Sequence, residues 1–237
     1  MGPAVADAES VDAMVGAGMD VARLNFSHGD YELHRNFARW VRDAAKSHGR
    51  SVAVLQDIQG PKLRVGTFSN GSVNLAAGTT VQLTPSSEDG ADDLIPVGYP
   101  RLLEDVSVGD RVILADGLII LRVRDVGSDT LVASVETGGE LSDHKGAAFP
   151  DSRLSVDTIT DKDERDLAFG RELGVEYVAA SFVRTGDDVV GVRDLAGDVP
   201  VIAKIELAQA YDNLDSIGDQ GEGGMAARGD LGVGLAL

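Results

Sequence analysis

The sequence predicts an α/β chain in which a parallel barrel of βα units is interrupted by a compact all-β module. Short buried apolar runs alternate with helical stripes before about residue 65 and again after about residue 150. Between them, alternating runs are broken by turn pairs at Asn70-Gly71, Ala77-Gly78, Gly109-Asp110, Asp116-Gly117, Gly127-Ser128 and Gly138-Gly139. No helical stripe interrupts that middle region before about residue 160. Finally, charged and polar residues stand where the buried runs end, as they do when a parallel barrel carries a site at its C-terminal face.

In chain order, Met1–Gly18 reads as helical, with Val11, Met14 and Val15 at core spacing. In Asp20–His28, DVARLNFSH, the apolar Ala22 and Leu24 alternate with Arg23, Asn25 and Ser27, which therefore share a face. Asp30 suits the cap of a helix whose stripe is Leu33, Phe37, Trp40, Val41 and Ala44, ended by Gly49. Ser51–Ile58 is a buried strand with Asp57 at its exit, and Gly60–Arg64, GPKLR, leads into the β module, which barrel-like closure would protect at its edges.

After Pro150 the βα rhythm resumes. Thr160 and Asp163 form a capping box for a helix lined by Leu167, Ala168 and Leu173 and ended by Gly174. Tyr177–Phe182 reads as a strand, Asp187–Leu195 as a helix, Pro200–Glu206 as a strand, Ala208–Leu214 as a helix and Gly224–Asp230 as a strand. Phe182, Glu206 and Asp230 recur at 24-residue intervals, a fair length for one βα unit. The domain layout expected is 1–65 for the first part of the barrel, 66–150 for the insert and 151–237 for the continued barrel.

The totals narrow the function classes. At 237 residues the core can be ample, and 43% hydrophobic with 25% charged residues is a soluble globular composition. No run is long enough to span a bilayer, no basic-then-apolar leader is present, and the absence of cysteine fits a cytoplasmic protein. A net charge of −18 argues against nonspecific nucleic-acid binding. Against that background the strand exits gather Arg23, Lys62, Arg64, Lys204 and Arg228 beside Asn25, Ser27, Asp57, Glu206 and Asp230. A positive pocket in an acidic chain suits a small molecule bearing phosphate and carboxylate. Glu206 and Asp230 offer two hard oxygen donors, the usual protein share of a Mg²⁺ site. Lys204 follows Pro200–Ala203 and points the same way as Glu206, so it can serve as a point charge or proton donor.

In order along the chain, RLNFSHG (Arg23–Gly29), DIQGPKLR (Asp57–Arg64), DHKG (Asp143–Gly146), ASFVR (Ala180–Arg184), IAKIE (Ile202–Glu206) and ARGDLGV (Ala227–Val233) resemble the motifs of the pyruvate kinase family. The resemblance covers nearly the whole chain. It implies an incomplete (β/α)8 TIM-type barrel with an inserted small β-barrel domain, and cytoplasmic, glycolytic phosphoryl transfer from phosphoenolpyruvate to ADP. By motif position, Arg23 would hold the substrate phosphate and Lys204 would stabilise the transferring phosphoryl group. Gly229 and Asp230 would meet the substrate carboxylate through their backbone. Asn25, Phe26, Ser27 and His28 would approach nucleotide and cation, and Arg64 and Lys145 would contact the nucleotide phosphates. Glu206 and Asp230 would ligate Mg²⁺ or Mn²⁺.

Three departures from the family pattern shape the expectation. Asn25, Ser27 and Asp57 match monovalent-cation ligands, but Ile58 replaces the usual threonine and Lys62 stands where a glutamate is common, so Lys62 is expected to take the role of K⁺ and remove the need for it. The barrel is expected to lack its first strand, its last strands and the C-terminal domain. The chain ends on the apolar Gly232–Leu237, with Gly234 at a family acidic position. Family members form homo-oligomers, which such a chain is not expected to do. The alternative function is a non-catalytic fragment that binds phosphorylated ligands. A Mg²⁺-enolate lyase or aldolase would suit Glu206 and Asp230 but would leave RLNFSHG and GPKLR without a purpose.

Overall fold

The structure is a computed structural model that describes residues 1–86 and 89–235. Two compact units form: one gathers Met1–Pro61, Asp157–Ile205 and Gln209–Ala226, the other Lys62–Val156, Glu206–Ala208 and the stretch from Ala227.

The first unit opens with a single 3-10 turn, Pro3–Val5, and the helix α1, Ala8–Gly16, whose Asp7 cap accepts from the Ser10 amide at 2.8 Å. Val11 and Val15 of α1 are buried. β1 is Val21–Asn25, α2 is Tyr31–Ser47 and β2 is Ala53–Asp57. Asp30 caps α2 through the Leu33 amide at 2.8 Å. Its buried face is His34, Phe37, Ala38, Val41, Ala44 and Ala45, so a histidine occupies part of the stripe expected to be wholly apolar.

The second unit is built from β3 (Ser72–Leu75), β4 (Thr80–Thr84), β5 (Leu94–Pro96), the short helix α3 (Leu102–Asp105), β6 (Arg111–Leu114), a 3-10 turn Ala115–Gly117, β7 (Ile119–Val126), β8 (Leu131–Thr137), β9 (Gly139–Ser142) and β10 (Ala147–Ala148). A six-stranded sheet has the order β10-β6-β7-β8-β4-β5, and β3 pairs antiparallel with β9. Only the β4–β5 pair within the six is parallel. Leu83, Ile95, Leu114, Leu121, Leu131 and Leu141 are fully buried in its core. Gly138 has a steric reason to be glycine, since a Cβ there would sit 2.3 Å from the Leu75 carbonyl oxygen. The short α3 was not expected in an all-β stretch; four residues are too few to show a helical period.

The chain then forms α4 (Asp161–Leu173), β11 (Tyr177–Ala180), α5 (Gly186–Ala196), β12 (Val201–Ile205), α6 (Ala208–Asp212), α7 (Leu214–Gly218), β13 (Gly223–Ala226) and α8 (Arg228–Leu235). The α4 capping box is present, with Asp163 accepting from the Thr160 amide at 2.9 Å. Its buried side is Leu167, Phe169 and Leu173; Ala168 is exposed, one residue round the helix from the expected stripe. The helix expected over Ala208–Leu214 is two short ones, broken at Asn213, whose amide nitrogen donates to the Arg184 and Gln209 carbonyls.

β1, β2, β11, β12 and β13 make one parallel sheet in that order, five strands of the expected incomplete TIM-type barrel. The register sets Asn25 against Asp57, Asp57 against Ala179, Ala180 against Ala203 and Lys204 against Met225. The strand expected over Gly224–Asp230 ends at Ala226, so Arg228, Gly229 and Asp230 stand in the first turn of α8. The last two residues of the apolar tail, Ala236 and Leu237, lie outside the described residues.

Candidate active site

The parallel register concentrates charge at the ends of β1, β2, β11 and β12. Arg23 and Asn25 share a face of β1, and Asp57, opposite Asn25, shares it on β2. Asp57 is 1% exposed and both of its oxygens are used. Oδ2 accepts from Arg23 Nε at 2.6 Å and lies 2.5 Å from Arg23 Nη2. Oδ1 lies 3.1 Å from Lys204 Nζ and 3.2 Å from Ser181 Oγ. Lys204 Nζ donates to Ser181 Oγ at 2.8 Å. Arg23 is half exposed, whereas the Lys204 side chain is only 9% exposed. An ammonium this deep is tolerable only with a carboxylate and hydrogen-bond acceptors around it. Lys204 is therefore a buried, paired ammonium and not a side chain re-emerging into solvent.

Glu206, one residue past β12, is also buried, at 2% exposure. Asp230 is exposed, and its Oδ1 lies 3.6 Å from Lys62 Nζ. Arg64 Nη1 donates to the His144 carbonyl at 2.9 Å, and the Val65 amide donates to the Lys145 carbonyl at 2.9 Å, while the Lys145 side chain is exposed. Among the described residues, no three His, Cys, Asp or Glu side chains gather as a metal cluster. Of the two carboxylates expected to hold a divalent ion, Glu206 is thus buried and Asp230 is exposed.

The RLNFSHG segment turns at its end. Asn25 Oδ1 accepts from the Ser27 amide at 3.0 Å, which fixes the loop after β1. His28 and Gly29 are exposed, but Phe26 is 2% exposed and its ring stacks on His34 at 4.1 Å. What Phe26 offers its surroundings is its carbonyl, which accepts from Lys162 Nζ at 2.7 Å. A cavity of ≈ 600 Å³ beside α2 is lined by Phe26, Tyr31, His34, Lys162, Arg165 and Asp166. Burial pushes the His34 imidazole below its ordinary pKa, against weaker opposing effects of the His28 main chain and Asp166. Burial and the hydrogen bond to Asp166 push the Tyr31 phenol up to about 12.

The expected residues therefore separate into those the structure pairs and those it leaves at the surface. Arg23, Asp57 and Lys204 form one cluster, and Lys62 with Asp230 another. His28, Lys145 and Gly229 are exposed. Ser181 was missed as an individual residue, although ASFVR was singled out. Its signal was parity: two positions past Ala179, it must share the face that Ala179 presents beside Asp57.

The family model described as pyruvate kinase, barrel domain, matches residues 1–237. The chain is 44% identical to pyruvate kinase of Mycobacterium tuberculosis over 241 residues, covering 100% of this chain and 51% of that protein. It is 42% identical to pyruvate kinase of Bacillus licheniformis over 98% of this chain and 41% of that protein. Pyruvate kinase of Corynebacterium glutamicum is 41% identical over 100% of this chain and 51% of its own length. The chain thus spans about half the length of the curated relatives it matches. With a match along its entire length and a parallel sheet that presents Arg23, Asp57 and Lys204 together, this chain belongs to the pyruvate kinase family.

Proposed function

We propose that this chain carries the phosphoryl-transfer machinery of a glycolytic, cytoplasmic pyruvate kinase, moving the phosphoryl group of phosphoenolpyruvate to ADP to yield pyruvate and ATP. The observation that supports this most is the buried Lys204 ammonium held at the end of β12 by Asp57, which also holds Arg23. In phosphoryl transfer the protein's task is positioning and charge neutralisation. Arg23 is half exposed and bound on one side to Asp57, so its remaining donors can fork onto a substrate phosphate. Lys204 places a point charge where negative charge builds on the equatorial oxygens as the bond to the enolate oxygen breaks.

Glu206 and Asp230 would hold Mg²⁺ or Mn²⁺, which supplies charge neutralisation and a template for the phosphate oxygens when bound. The Gly229 and Asp230 amides belong to the first turn of α8, where a helix start carries partial positive charge, and would meet the substrate carboxylate. Arg64 and Lys145 would contact ADP phosphates, and the loop Asn25–His28 would approach the nucleotide. Lys62 would take the electrostatic role of K⁺ and remove the need for it, and both oxygens of Asp57 already face a cation. Among the described residues no helix is long and apolar enough to cross a membrane.

The test is a coupled assay for pyruvate with the full chain, phosphoenolpyruvate, ADP and Mg²⁺ in K⁺-free buffer. Pyruvate formation that changes less than about twofold on adding K⁺ is expected. A many-fold rise with K⁺ would refute the role given to Lys62 and Asp57. No turnover in a folded chain would favour the non-catalytic alternative.

A further inference from the structure

β11 stops at Ala180, and the backbone that follows is unusual. Phe182 has φ +57, in the left-handed region that a bulky aromatic residue avoids. Such a conformation persists only where neighbours over-determine it, and it collects at sites that need a side chain aimed. Gly60 of GPKLR, itself at φ +65, packs against this bend. A Cβ on Gly60 would lie 3.0 Å from the Phe182 ring and 3.0 Å from the Ser181 carbonyl oxygen. The bend and Gly60 thus fix the peptide that carries Ser181.

Ser181 is 2% exposed. Its hydroxyl has one proton and two lone pairs. The shortest acceptor is the Ile58 carbonyl at 2.6 Å, with Asp57 Oδ1 farther away at 3.2 Å. With its proton committed to Ile58, Ser181 Oγ is left to accept, and Lys204 Nζ donates to it at 2.8 Å. We infer that Ser181 is a positioning residue for Lys204: a neutral acceptor, locked by the left-handed turn at Phe182, that aims the ammonium without cancelling its charge. Asp57 also holds that ammonium, but it offsets the charge and shares itself with Arg23. A lysine stem has many rotamers, so an oriented ammonium needs more than one fixed partner. That the aimed charge serves phosphoryl transfer rests on the function proposed above; the aiming itself does not.

The experiment uses the full 237-residue chain with ¹⁵N-labelled lysine, whose five side-chain signals come from Lys46, Lys62, Lys145, Lys162 and Lys204. Lys204→Arg assigns the Lys204 signal by its loss. In Ser181→Ala the Lys204 Nζ resonance is expected to move and its protons to exchange about tenfold faster, the factor that one hydrogen bond to a charged group carries. Ser181→Thr should restore the parent signal. Ser181→Cys keeps the size but accepts poorly, and should behave as alanine does; it carries the test if the alanine variant does not fold. In the coupled assay, Ser181→Ala should lower kcat about tenfold with the KM for phosphoenolpyruvate unchanged. A parent-like Lys204 signal in both Ser181→Ala and Ser181→Cys would overturn the inference even if the parent turns over. A displaced signal in a parent without turnover would uphold it and refute the proposed function instead.

Discussion

In the first unit one carboxylate, that of Asp57, meets both the guanidinium of Arg23 and the ammonium of Lys204. Removing one member of a buried charged set costs more than the pair's net contribution to stability. Asp57→Asn is therefore expected to destabilise the first unit by about 3 kcal/mol, chiefly through Lys204. Urea denaturation should show a lower midpoint at an unchanged slope, and a midpoint equal to the parent's would contradict it. His34 gives a second prediction. Its folded pKa lies below the ordinary value, so the native state holds the neutral ring where the unfolded chain already binds a proton. Its contribution is complete above pH of about 6.5 and is lost as pH falls through the lower folded value. His34→Phe should flatten the loss of stability with acidification in that window; parallel curves for parent and variant would argue against it. Little of this was legible in the sequence. Arg23 and Asp57 are 34 residues apart, and nothing local announces their contact.

At the scale of the element, the βα rhythm and the caps were the readable part. Thr160 and Asp163 gave the start of α4, and Asp30 the start of α2, because capping is a local hydrogen-bonding need written within four residues. What was not readable is that Asp163, 0% exposed, also accepts from the Gly60 amide at 3.0 Å, tying α4 to the loop after β2. The two cap residues should therefore differ. Thr160→Ala is expected to cost about 1 kcal/mol, as an ordinary cap does, and Asp163→Ala more than twice that, since a buried amide then loses its acceptor. Equal thermal shifts in the two variants would contradict this. The failure at Gly224–Asp230 has a clear cause. α8 contains Gly229, Gly232 and Gly234, so its propensity is poor, and the helix is started instead by the Leu231 amide donating to the Ala227 carbonyl at 3.0 Å, with Asp230 in its first turn.

For the molecule as a whole, the sequence announced its architecture through change of texture and its chemistry through contrast. Runs of period two between stretches of βα units marked a β module, and a handful of cations at strand ends stood out in a chain of net charge −18. The structure adds that Lys204 and Arg23 are not loose surface charges but are both held by one buried carboxylate, the kind of preorganisation that the proposed phosphoryl transfer would use. The most direct test is turnover of phosphoenolpyruvate and ADP by the full chain and by its Lys204→Ala variant, both shown to be folded. Loss of about three orders of magnitude in kcat with little change in KM is the expected result, as for removal of a group that acts mainly in the transition state. Equal kcat in the two proteins would take Lys204 out of the chemistry and contradict the central claim.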